Sequence, residues 1–127
     1  MSTSCGISIR TGETLETIYC HNDGYPSRML TLLRTHYGTL ELAAKLISFG
    51  DASSIDEKLE PTTETHSFDE PEDGVCIFYH RDRNEDWNHC KPCQLSAIET
   101  LKMPSFLFVY VFEDGTWNCY KNGKRCS

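Results

Sequence analysis

The stretch FLFVYVFEDGTWNCY, residues 106–120, constrains the fold more than any other part of this chain. Its two runs are rich in β-branched and aromatic residues, and Glu-Asp-Gly between them supplies a turn. The pattern predicts a β-hairpin whose aromatics lie at the centre of a sheet.

A second hairpin is predicted at about residues 6–20, where GISIR and LETIYCH alternate apolar and polar residues around Gly12. NDGYP then breaks regular structure, and Ser27 is placed to cap a helix whose Met29, Leu30, Leu33 and Tyr37 recur at helical spacing up to Gly38. Thr39 caps a further helix, LELAAKLISF, closed by Gly50. SIDE at 54–57 has the capping-box pattern and predicts one more helical turn. The aperiodic, acidic segment at about 60–73 reads as an exposed loop. GVCIFYH reads as a central strand, and residues 93–103 as a third helix ended by Pro104. The basic tail KNGKRCS is expected to fray. The order ββαα(α)βαββ describes one domain, 1–127, of the α+β class: a mostly antiparallel sheet with helices packed on one face.

No apolar run approaches the length of a membrane span, and the N-terminal residues have no apolar core of signal-peptide length, so a cytoplasmic protein without a membrane partner is expected. The seven cysteines are expected as reduced thiols. Net charge is −7 but unevenly placed. Residues 51–86 carry twelve acids against Lys58, Arg81 and Arg83, a net −9. That surface repels a phosphate backbone, which argues against direct nucleic-acid binding and for a partner with a basic surface.

Three constellations carry chemistry. In YCHNDGYPS the strand-to-helix corner is read first as structural; the alternative is an anion or ligand site built from Asp23, Ser27 and Arg28 with His80. YHRDRNED groups His80, Arg81, Asp82, Arg83, Glu85 and Asp86 beside Trp87, which suits a solvated turn, a recognition loop or a divalent-ion hydrolase site. HCKPC holds Cys90 and Cys93 at a spacing that fits zinc, with His89 as a further ligand, but it is half of a motif, and no cofactor is expected. His36 and His66 stand apart from any motif.

Taken together, YCHNDGYPS, LISFGDASSI, YHRDR and YVFEDGTW resemble a family of small accessory proteins of phages and prophages. The resemblance implies a protein that binds and inhibits a host defence complex, anti-CRISPR activity among the forms this takes, and it transfers no functional residue. The expected binding surface is Asp69, Glu70, Glu72, Asp73, Glu85 and Asp86, with Phe68, Arg81, Arg83 and Trp87 as anchors, presented to a host protein or nucleoprotein complex. The other expectation is a small-ligand protein, for a nucleotide or cyclic signal, that uses a helix N-terminus and arginines.

Overall fold

A computed structural model describes residues 3–126. The chain has the expected α+β fold. In order, the elements are β1 (Cys5–Thr11), β2 (Thr14–Cys20), α1 (Pro26–His36), α2 (Leu40–Ser48), β3 (Ala52–Ser54), β4 (Ile77–Phe78), α3 (Tyr79–Arg83), α4 (Trp87–Cys90), β5 (Cys93–Ser96), α5 (Ala97–Leu101), β6 (Phe108–Glu113), β7 (Thr116–Lys121) and β8 (Lys124–Arg125). The sheet runs β4-β3-β2-β1-β6-β7-β8, and β5 joins the outer edge of β2.

Both expected hairpins form, with Cys5 opposite Cys20 in the first and Phe112 opposite Trp117 in the second. They meet through a parallel pairing of β1 with β6, so β1 lies at the centre. Strand alternation then sorts the side chains. Cys5, Ile7, Ile9, Ile18, Tyr110, Phe112 and Trp117 join Met29, Leu33, Leu46 and Ile47 of α1 and α2 in the main core. Each large aliphatic buried there contributes roughly 1.5–3 kcal/mol. The opposite side holds Leu15, Val109 and Val111 with Ala97 of α5. The two long helices therefore share one face, while the five-residue α5 sits against the other.

Several local expectations are corrected. Ser27 does not cap α1: Tyr25 holds the cap position without a side-chain bond and Pro26 opens the helix, since proline's fixed φ suits a first turn that needs no N–H. Thr39 does cap α2, its hydroxyl accepting from the Leu42 N–H at 3.2 Å. SIDE forms no helical turn; Ala52–Ser54 is a strand between β2 and β4. GVCIFYH contributes only Ile77–Phe78, at the edge of the sheet rather than its centre. Its burial comes instead from the core around Cys76 and Phe78, and an apolar run alone cannot tell these cases apart. Residues 93–103 split at Ser96: Cys93–Ser96 pair with β2, and the Ser96 hydroxyl then caps α5 by accepting from Glu99 N–H. Within the basic tail, Asn122 and Gly123, at φ 54° and 81°, make the tight turn that returns Lys124–Arg125 onto β7 as β8.

Candidate functional site

The outer edge of β2 is shared by two short strands. Thr14–Thr17 pair with β5 and Cys20 pairs with Ala52 of β3, and among the described residues Tyr19 has no ladder partner on that edge. An unpaired N–H there needs another acceptor. Asp51 supplies it: its Oδ1 accepts from the Tyr19 N–H at 2.9 Å.

Asp51 also organises its neighbours through its backbone. Its N–H donates to the Cys90 carbonyl at 2.7 Å, and its carbonyl accepts from the Tyr79 N–H at 3.2 Å. One residue thus ties β2 to α3 and α4. Gly50 makes the approach possible: at φ +83° it brings the backbone so near α4 that an added Cβ would stand 2.5 Å from the Cys90 carbonyl oxygen.

Two adjoining hollows open at this break in the ladder, and both are walled by Tyr19, Asp51 and His89. The larger, about 360 Å³, continues between Thr17 of β2, the 88–93 turn and the Met103–Phe106 connection. The smaller, about 350 Å³, is bounded by Tyr79, Arg83, Glu85 and Cys90. Each is of the size that small ligands occupy. Tyr19 stacks on Phe106 with ring centroids 6.3 Å apart, and its hydroxyl lies 2.7 Å from His21 Nδ1. Burial pushes the Asp51 carboxyl up to about 6, and the Tyr19 N–H only partly offsets it. Burial likewise raises the phenols of Tyr19 and Tyr79 and the thiol of Cys90. A carboxyl of this kind both accepts hydrogen bonds and exchanges protons near neutrality.

The residues singled out from the sequence divide sharply. Arg83, Glu85, His89, Cys90 and Cys93 line the cleft, so the second and third constellations converge with Tyr19 from the first. Asp23, Ser27, Arg28 and His80 do not assemble there. Arg28 is occupied by the carbonyls of Asp23 and Ile55 and lies 3.8 Å from Asp56, which makes the corner structural. His80 bonds the Glu85 carbonyl through Nδ1 and packs edge-on against Trp87.

Arg81 is equally committed inside. It donates to the carbonyls of Leu59 and Cys76, pairs with Asp82, and lies over the rings of Phe49 and Phe78. Burial alone would raise the Asp82 carboxyl, but Arg81, the Phe78 N–H and His66 outweigh it and hold it low. His66, unremarkable in the sequence, accepts from the Glu72 N–H and sits 3.3 Å from Asp82. Glu72 in turn accepts from Thr62 and Thr63, and Asp86 caps α4. These acids serve the fold. Asp69, Glu70 and Asp73 are exposed, with no cationic partner among the described residues, and Phe68 beside them packs at a tilt against Tyr79 under the Arg83 guanidinium, 4.8 Å from its ring centre.

Among the described residues no three His, Cys, Asp or Glu side chains gather as a metal site. Cys90 is buried with its thiol donating to the Asp86 carbonyl, and Cys93 is exposed on β5. Among the described residues no helix is long and apolar enough to cross a membrane. The sequence reasoning passed over Tyr19 and Asp51; the usable signal was Gly-Asp directly after an apolar helical stripe, where a chain must turn closely and then satisfy a strand edge. Comparison with protein-family models, curated proteins and solved structures finds no match to this chain, so its function has to be argued from the cleft and its surface.

Proposed function

We propose that this chain is a small-ligand binding protein, with the Tyr19–Asp51–His89 cleft as its site. The observation that carries this reading is the convergence of three distant segments on two adjoining hollows that share a half-buried carboxyl of raised pKa. Concave sites with apolar walls and a few convergent polar groups are the usual form of ligand pockets. The Tyr19 and Phe106 rings offer a stacking wall, Asp51 a hydrogen-bond acceptor, and Lys91 and Arg83 positive charge at the two ends. A ring-bearing molecule with an anionic group, such as a nucleotide or cyclic nucleotide, matches that set. Thermal-shift screening of such compounds tests it: a ligand at 100 times its Kd stabilises the fold by about 2.7 kcal/mol. Tyr19→Ala should abolish the shift. A panel that leaves the melting temperature unmoved counts against the reading.

A second reading keeps the acidic surface as the working face. It is favoured by Asp69, Glu70 and Asp73, which stand exposed next to the Phe68–Arg83 platform. In that reading the chain is a phage or prophage accessory protein that inhibits a host defence complex by occupying a basic surface. Reversing the charge of these three acids should abolish pull-down of the host partner, and unchanged capture would reject the face as its site.

A further inference from the structure

Seven cysteines do not have equal prospects. Cys5 and Cys20 are cross-strand neighbours but both are fully buried, and Cys76 is engaged with Tyr37 and Asp56 inside the core. Cys90 is buried and Cys93 is exposed without a neighbouring thiol at bonding range in the described structure. Cys119 and Cys126 differ from all of these. The β7–β8 turn places them opposite one another: Tyr120 pairs with Arg125, and the Cys126 N–H donates to the Cys119 carbonyl at 2.8 Å. Their sulfurs are 2.7 Å apart, both in thiol form. Opposed residues of a hydrogen-bonded antiparallel pair stand about 5.5 Å apart at Cα, the spacing a disulfide prefers.

We propose that Cys119 and Cys126 form a reversible disulfide that staples the C-terminal hairpin, with small-molecule disulfides as the oxidant class. Cys126 is exposed and Cys119 is buried, which sets the order of events. The Cys126 thiolate attacks one sulfur of the small-molecule disulfide, whose S–S bond breaks as one thiolate leaves. Cys119 then gives up its proton to solvent and attacks the Cys126 sulfur, releasing the second thiolate. Two protein thiols are oxidised and one external disulfide is reduced to two thiols. Burial and the adjacent Cys126 thiol raise the Cys119 pKa, which suits it to the second step rather than the first. The bond would add a covalent clamp to β8, whose contacts with the sheet edge include two residue pairs and the Arg125–Asn118 hydrogen bond.

The test uses the whole chain incubated with oxidised glutathione, quenched by alkylation and mapped by mass spectrometry. The expected product has lost two hydrogens, links the Cys119 and Cys126 peptides, and melts roughly 5 °C higher until reductant is added. Cys126→Ser should lose both the link and the shift while folding normally, since its side chain is exposed. Cys119→Ser should instead accumulate a mixed disulfide at Cys126. A persistent mixed disulfide at Cys126 in the unaltered chain, or a link from Cys126 to any other cysteine, overturns the proposal. None of these outcomes depends on whether the cleft binds a ligand.

Discussion

Asp51 concentrates the chemistry of the molecule in one side chain. Its carboxyl ionises at about 6 in the folded chain against an ordinary 3.8, so the folded state binds the proton more tightly. The sign follows from linkage: the stability this group contributes is present at low pH and is lost as pH rises from about 4 through about 6. Asp51→Asn can still accept from Tyr19 N–H but has no proton to lose. The variant should show a flatter stability profile across that window and gain on the unaltered chain above it, which urea unfolding at several pH values will measure. An unchanged difference between the two proteins across the window would mean that burial does not perturb this carboxyl. Little of this was legible in the sequence. Arg83, Glu85 and His89 stand in motifs that drew notice, but Asp51 acts because an unpaired strand N–H meets it, and that partnership exists only after β3 and β5 divide the edge of β2. Arg81 and Glu72 are committed within the chain for the converse reason: carbonyls and loop amides elsewhere need them.

At the level of elements, local signals succeeded where a single cause decides the outcome. Alternation around a glycine turn predicts both hairpins, and the Thr39 cap needs only its own first turn. Removing that cap by Thr39→Ala leaves the Leu42 N–H without its acceptor and should cost about 1 kcal/mol, read as a lower urea midpoint with unchanged slope. A midpoint within error of the unaltered chain would show that solvent replaces the cap. Local signals failed where tertiary pairing decides. Cys93–Ser96 carry helix-compatible spacing, yet Leu95 is held opposite Leu15 as a strand. GVCIFYH reads as one continuous strand, yet Asp82 accepts from the Phe78 N–H and the chain turns into α3 after two paired residues. The loop at 60–73 is held by Glu72 and His66, whose partners are not adjacent in sequence.

For the whole molecule, sheet order predicts a gradient of protection. β1 is flanked by β2 and β6 and covered by α1 and α2, whereas β4 and β8 are two-residue strands at the two ends of the sheet. Native-state hydrogen exchange should therefore find the slowest amides in β1 and β6 and the fastest strand amides in β4 and β8. Equal protection across the sheet would contradict this order. The α+β class was readable because hairpins flank a helical pair, but the parallel contact between the hairpins joins segments from opposite parts of the chain and leaves no local trace. That contact also bears on how the protein is made. Cys5–Ile9 must wait for Phe108–Phe112 to leave the ribosome before β1 gains its second neighbour, so Ile7 and Ile9 spend most of translation without their final cover. Nascent chains halted before residue 108 should consequently be the ones that recruit chaperones.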